Sequence, residues 1–452
     1  MNLAVDLILK NAKVYLPEKI VEAGIAIDGE RIVKVAKEAN LPSASEKIDL
    51  DGLLILPGII DVHVHLRDQE LSYKEDFYSG TCAAANGGVS LVVDMPNNKP
   101  VTMDSKTLRE RMELASKKVV VNTAFYSAFP ENTREIKHIT GVGARAFKIF
   151  LSHKVGGLNP DDENAVIDAF KEVAENGLLV AVHAEDGFLL RRKIEEISLE
   201  NRDDLDAYLE VHSPEAEVKG IKRAIGLMRK SNVHVHICHV SVADGLKAIL
   251  GAKSDGYPIT CEITPHHLLL SEKYLRRIGN IALTNPPLRS LSDASYLRWA
   301  LENNLIDIVA SDHAPHAIFE KDASSIWNVS AGIAGIETML PLMLNMVNIG
   351  QISLPTLVRS LSEKPSRIFE FKDRGRIMEG AYADLVVVDL KKEWTIDSTE
   401  FYSKAKFSPF DGWRIKGKPV KTFTNGILVM DEGEIIVKPG SGKVIGWQRG
   451  FI

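Results

Sequence analysis

At 452 residues, with 45% hydrophobic and 26% charged side chains, the chain has an ordinary globular composition and room for one large domain plus a smaller one. A formal net charge of −6 argues against nucleic acid or an anionic membrane as the main partner, and no uncharged apolar stretch is long enough for a membrane helix. Three widely spaced cysteines, Cys82, Cys238 and Cys261, suit a reducing cytoplasm, give no thiolate zinc pattern and read as small buried apolar side chains.

The first residues, Met1 to Lys10, alternate polar and apolar side chains and predict a strand, without the basic start and long apolar run of a signal peptide. Short β-rich runs continue over Asp6–Leu9, Lys13–Leu16, Gly24–Asp28 and Arg31–Ala36, the last pair joined by the hairpin signal Asp28-Gly29-Glu30. The middle, from about Leu56 to Glu370, reads differently. Continuously apolar segments occur at Ile59–Val64, Ser90–Met95, Val119–Thr123, Ala146–Phe150, Leu178–His183, Val233–His239, Ile259–Ile263 and Ile306–Ala310. Helical patterns such as Asn164–Glu175, Glu215–Arg229 and Asp293–Glu302 lie between several of them. Strands buried on both faces and separated by helices predict an α/β fold with a parallel sheet. About eight of them over roughly 300 residues fit a (β/α)8 barrel. A doubly wound sheet fits less well, because no glycine-rich fingerprint opens the first strand–helix turn. The opening texture returns at Ala383–Asp389, Val420–Phe423, Asn425-Gly426, Ile427–Met430 and Gly433–Val437. The two ends are therefore expected to pack together as one small β domain, residues 1–56 with 375–452, beside a barrel of residues 57–374.

In such a barrel the chemistry sits at the C-terminal ends of the strands, and five of these segments carry a candidate metal ligand there. His63 and His65 are two apart, point to one side of a strand and can begin a zinc site, although such pairs also occur on ordinary surfaces. Lys148 interrupts the apolar run Ala146–Phe150. Taken alone it reads as a lysine that snorkels to the surface. The other reading is a buried neutral amine, whose carbamate with carbon dioxide is an anionic ligand able to bridge two metals. His183 ends its own segment. In His234-Val235-His236-Ile237-Cys238-His239, alternation puts His239 opposite the other two histidines, so period does not choose among them; position at the strand end favours His239. Asp312, in Ser311-Asp312-His313-Ala314-Pro315-His316, is either a cap or a ligand and general base. One binuclear site accounts for all six residues better than six coincidences do.

These residues resemble the amidohydrolase superfamily and, within it, the dihydroorotases, over nearly the whole chain. The likeness is carried by Pro57–Arg67, Asp94–Pro100, Thr264–Leu268, Asn285–Arg289, Ser311–His316, Gly335–Thr338, Lys364–Phe369 and Gly380–Val387. Of these, His65-Leu66-Arg67, Met95-Pro96-Asn97 and Asp312–His316 speak for dihydroorotase in particular. The resemblance implies a distorted (β/α)8 barrel with a small β-sandwich built from both termini. It implies two zinc ions, His63, His65 and Asp312 on one, His183 and His239 on the other, bridged by N6-carboxylated Lys148 and a hydroxide. It places Arg67, Asn97 and His316 on the substrate's free α-carboxylate, with Asn285 lining the same pocket, and makes Asp312 the catalytic base. The implied activity is the reversible cyclisation of N-carbamoyl-L-aspartate to (S)-dihydroorotate in pyrimidine biosynthesis, in the cytoplasm. A homo-oligomer is compatible with the sequence, and the resemblance admits a complex with aspartate transcarbamoylase.

The chain departs from the family pattern after Arg67, where Asp68-Gln69-Glu70 replaces Glu-Pro-Gly, and at Asn98 and Ser311, each in place of a common threonine. These changes leave the shape of the first loop open. Allantoinases and hydantoinases share the metal positions and are the nearest rivals, separated by the carboxylate-binding trio; a non-catalytic scaffold that keeps the barrel is a further alternative. His138, His153, His212, His234 and His236 read as surface or packing histidines. His266 and His267 are candidates to buttress the site, and His313 to orient Asp312.

Overall fold

The structure, a computed structural model, describes residues 4–17 and 19–447; Met1 to Leu3 of the expected N-terminal strand lie outside these residues. Eight parallel strands form the central sheet in chain order: β1 (Ile59–Val64), β2 (Val89–Asp94), β3 (Asn122–Ala128), β4 (Ala146–Phe150), β5 (Leu179–His183), β6 (His234–Ile237), β7 (Ile259–Ile263) and β8 (Ile308–Val309). A parallel bridge between Val64 and His313, with the His65 amide donating to the His313 carbonyl at 2.8 Å, brings the last strand back to the first. The barrel architecture expected from the apolar runs is therefore the observed one. Among the described residues, no helix is long and apolar enough to cross a membrane.

Inside the barrel Ile60, Val62, Leu91, Val93, Ala124, Tyr126, Ala146, Ala181, Ile308 and Ala310 pack with Phe369 and Phe371, which fill the interior. The functional end of the barrel thus rests on a closed apolar floor. Strand β3 differs from expectation. The predicted Val119–Thr123 is displaced to Asn122–Ala128, because burial continues unbroken to Phe129 and so does not mark where the strand begins. The carbonyl of Val119 instead accepts from the amides of Gly440 (3.1 Å) and Gly442 (2.9 Å), tying the C-terminal segment to the barrel wall.

Both chain ends share a second, nine-stranded sheet with its own core of Leu9, Val14, Ile25, Ile55, Leu385, Val387 and Phe423. Its central strand, Leu54–Pro57, pairs parallel with Val5–Leu16 and antiparallel with Leu385–Thr395. Both positions of the Asn425-Gly426 turn have positive φ, 50° and 80°, as a tight hairpin requires. Leu54–Pro57 runs straight into β1 through Gly58, where a Cβ would lie 2.2 Å from Ser90 Oγ. The terminal sheet therefore anchors the strand that carries His63.

The loop after β1 is anchored by an ion pair wholly out of water. Arg111 Nε donates to Asp94 Oδ2 at 2.7 Å, and both side chains are buried. Asp94 Oδ1 accepts from the Leu66 amide at 2.8 Å, and Arg111 Nη1 donates to Gln69 Oε1 at 2.9 Å. Removing the arginine strands a buried carboxylate, so Arg111→Leu is expected to lower unfolding stability by about 3–5 kcal/mol in a denaturant titration. A loss under about 1 kcal/mol would show that the pair does not anchor this loop.

Candidate metal centre

The six candidate ligands meet at the C-terminal end of the barrel. Lys148, His183 and Asp312 continue the inward-facing sets that include Ala146, Ala181 and Ala310 on their strands. His63 and His65 reach the same space because the β1–β2 register shifts between Asp61 and Val64. His239 arrives differently. Its φ of 36° breaks the strand alternation and turns the ring inward, which resolves the choice that period left open. Asp312, at φ 47°, is left-handed as well. Such conformations cost about 1–3 kcal/mol each and persist only where the surroundings hold them. The His239 amide donates to Glu262 Oε1 at 3.3 Å, and Ser311, before Asp312, donates its amide to Asp61 Oδ1 at 3.1 Å.

The hydrogen bonds behind the rings decide which nitrogen faces the centre. Glu262 Oε1 takes the proton of His63 Nδ1, and Asn97 Oδ1 that of His65 Nδ1 at 2.8 Å. Both Nε2 atoms are then lone pairs, yet they lie 3.2 Å and 3.3 Å from the same oxygen, Asp312 Oδ1. Three acceptors converging without a donor repel one another unless a cation lies between them. Without a metal that charge has to be a proton: burial disfavours it, but Glu262 and Asp312 outweigh burial and push His63 up to about 10. On the other side, His183 Nε2 donates to Glu185 Oε2 at 2.8 Å, leaving Nδ1 to face His239 Nε2 at 3.1 Å. Ligand atoms of His63, His239 and Asp312 all fall within 4.8 Å of one another, so the donor set fits metal ions.

Lys148 is 1% exposed, which overturns the snorkelling reading. Its Nζ lies 2.9 Å from Cys238 Sγ and 5.0 Å from the centre of the Phe150 ring, and it pairs with no carboxylate among the described residues. Cys238, expected as a bland apolar side chain, is thus the lysine's hydrogen-bond partner. All three cysteines are buried and free, as anticipated.

Above the ligands, Arg67, Asn97, Asn285 and His316 line a cleft of about 280 Å³ that also exposes His63, His65, His183, His239 and Asp312. A larger cavity of about 370 Å³ lies by Arg145, His234 and Phe369, but the Arg145 guanidinium is used on the carbonyls of Phe369 and Glu370. Chemistry rather than size selects the site. The first loop, whose shape the sequence left open, has three successive positive φ angles, 55°, 54° and 51°, at Arg67, Asp68 and Gln69 and runs into a short 3-10 turn at Gln69–Leu71. Asp68 holds it by accepting from the Phe77 amide (2.9 Å) and from Lys118 Nζ (2.9 Å).

Residues 54–429 match the amidohydrolase family. The chain belongs to this family. It is 37% identical to the dihydroorotase of Methanothermobacter thermautotrophicus, over 97% of this chain and 97% of that one. With the dihydroorotase of Pyrococcus horikoshii it shares 38% identity over 98% and 96%. Among solved structures it is similar to an L-hydantoinase (dihydropyrimidinase) from Arthrobacter aurescens, with a TM-score of 0.94 and 32% identity over 97% of this chain and 99% of that one. The resemblance drawn from the motifs is borne out.

Within this amidohydrolase site, several residues were missed or misread from sequence. His236, read as packing, is fully buried and shares Glu262 with His63, its Nε2 lying 3.1 Å from Oε2. His212, also read as packing, shares Glu185 with His183 through Nδ1 at 2.9 Å. His153 lines the cleft, its ring centre 5.3 Å from that of Phe150. His313 turns its ring towards Glu75, with Nε2 3.5 Å from Oε2, rather than towards Asp312. His266 and His267 are buried, and His267 spans Thr264 Oγ1 (2.8 Å) and the Pro286 carbonyl (3.1 Å). The signal for Glu262 was present: an acid inside the apolar run Ile259–Ile263 is as anomalous as Lys148. Glu262→Gln, which keeps the shape but loses the charge, is expected to lower metal affinity about 10- to 100-fold in competition with a chelator. Undiminished metal retention would mean that Glu262 does not set the His63 donor.

Proposed function

We propose that this amidohydrolase is a dihydroorotase, interconverting N-carbamoyl-L-aspartate and (S)-dihydroorotate with two zinc ions held by His63, His65, His183, His239, Asp312 and N6-carboxylated Lys148. One observation carries the choice of substrate. Arg67 is 6% exposed and lines the cleft, yet its guanidinium contacts only the Pro315 carbonyl (3.3 Å) and His316 Nε2 (3.4 Å) and pairs with no carboxylate among the described residues. Burial pulls it down to about 10, against the pull of Asp312 and other nearby acids. A buried guanidinium that no carboxylate pairs with directly favours an anionic ligand, and it binds a carboxylate through paired hydrogen bonds.

In this reading Arg67, Asn97 and His316 hold the α-carboxylate, and Asn285, oriented by the Tyr208 hydroxyl at 2.7 Å, lines the pocket beside it. The zinc ions, when bound, lower the pKa of a water and polarise the amide carbonyl. Burial would raise Asp312, but the surrounding histidines hold it well below the usual carboxylate range, so it stands ionised; in this reading it takes the proton of the attacking water and returns it to the ring nitrogen. In this reading the described parts of residues 1–56 and 375–452 supply the β domain that supports the barrel at 57–374, with Gly440 and Gly442 reaching back to Val119 on the barrel wall. The likeness to the L-hydantoinase favours a second reading, hydrolysis of a cyclic amide lacking the carboxylate.

The test is hydrolysis of dihydroorotate, allantoin and a 5-substituted hydantoin by the zinc-loaded protein. Dihydroorotate alone is expected to turn over, with activity abolished in Lys148→Ala, removed by a chelator and restored by zinc. Arg67→Met is expected to lower kcat/KM for dihydroorotate about 10- to 100-fold, the loss of charged hydrogen bonds. Turnover of hydantoin or allantoin instead would keep the metal site and overturn the substrate. Zinc binding without any turnover would point to a scaffold.

A further inference from the structure

His316 is gripped at both ring nitrogens. Its Nε2 lies 3.1 Å from the Ala331 carbonyl oxygen, and its Nδ1 lies 3.2 Å from Lys74 Nζ and 3.5 Å from Glu320 Oε2. A carbonyl oxygen only accepts and an ammonium only donates. The shorter contact on each side therefore gives one answer: Nε2 carries the hydrogen, and Nδ1 offers its lone pair to Lys74. The opposite tautomer sets two acceptors against each other at one nitrogen and two donors at the other. Burial and the charges of Arg67, Lys74 and Lys321 keep the ring neutral, well below its ordinary value, and Glu320 is the carboxylate facing them.

Lys74 is itself fixed. Its Nζ lies 2.7 Å from Glu320 Oε1, and that carboxylate also accepts from the Tyr73 hydroxyl (3.1 Å) and the Ala317 amide (2.9 Å). The side chains of Lys74 and Glu320 are only 11% and 15% exposed. The outcome is a donor pair: His316 Nε2–H, which the Ala331 carbonyl already shares at 3.1 Å, stands 3.4 Å from Arg67 Nη2, so an anion entering beside them meets two donors side by side.

We propose that Lys74 is a specificity-determining residue of this pocket, holding His316 as the Nε2–H donor beside Arg67. The proposal rests on the dihydroorotase reading. Lys74 touches no reacting atom, so it is a positioning residue that acts on binding through His316. A cyclic amide without a carboxylate gains nothing from it.

The test compares Lys74→Met and Lys74→Arg with the wild type, all zinc-loaded and full length. Lys74→Met is expected to raise KM for dihydroorotate about tenfold or more while kcat stays within about threefold, and Lys74→Arg to recover most of the loss. Independently, 15N NMR of histidine-labelled protein, with His316→Gln to assign the ring, is expected to show the Nε2–H tautomer in the wild type and its loss in Lys74→Met. An unchanged tautomer in Lys74→Met overturns the proposal. So does an unchanged KM where the wild type turns dihydroorotate over. The spectra need no substrate: if the wild type leaves dihydroorotate intact, the dihydroorotase reading fails, and the tautomer alone still supports or overturns the grip of Lys74 on His316.

Discussion

A carboxylate taken wholly out of water has to be met by hydrogen-bond donors, and the way Glu262 is met organises the site. Its two oxygens take His63 Nδ1, His236 Nε2 and the backbone amide of His239, joining β1, β6 and the segment after β6 to β7. Three consequences follow from this one buried charge. His63 is left with its lone pair towards Asp312, His239 is held in a backbone conformation that it would not adopt freely, and the strands carrying them cannot slip in register. Glu185 acts in the same way on the other side, shared between His183 and His212. Burial would raise both acids, yet the histidines hold them well below the usual carboxylate range. The ligand nitrogens are thus aimed by negative charge placed behind them, and the lone pairs meet in front, where only a cation satisfies them all.

This arrangement explains which parts of the site are visible in the sequence. Lys148, His183 and Asp312 stand in phase with the small alanines below them in the barrel, so a period of two and a strand end mark their positions, although Lys148 taken alone reads as snorkelling and Asp312 as cap or ligand. His63 and His239 are out of phase with the residues beneath. One is delivered by a register shift and the other by a positive φ, and neither has a signature in residue type. The His63/His65 pair and the strand-end position of His239 point to them where period alone does not choose. The same weakness displaced β3: eleven consecutive buried residues from Val119 to Phe129 announce a strand without saying where it begins.

Residues that act at one remove were hidden for a different reason. Lys74, Glu185 and Tyr208 stand in helical or loop stretches where a charged or hydroxyl side chain is unremarkable, and their contacts with His316, His212 and Asn285 join them to partners far away in the chain. Asp68 and Gln69 looked like departures that left the first loop undefined. In the fold they define it, Asp68 by taking the Phe77 amide and Lys118, Gln69 by taking Arg111. A substitution that breaks a motif can thus carry its own set of contacts.

The candidate metal ligands and the proposed substrate-binding groups are built on different physical footings. The ligands stand on or just beyond strands whose positions are fixed by the barrel, its apolar floor and the terminal sheet. Arg67, Asn97, Asn285 and His316 stand on connecting segments above them, where side chains can change without disturbing the barrel. A TM-score of 0.94 with an L-hydantoinase therefore speaks for the barrel and leaves the substrate to the loops. There the balance of charge is the discriminating quantity. Arg67, Lys74 and Lys321 all act electrostatically on His316, and Glu320 is the carboxylate set against them. In the dihydroorotase reading, a substrate carboxylate gives Arg67 the paired hydrogen bonds that no carboxylate among the described residues gives it, and a ring without that group leaves them unmade.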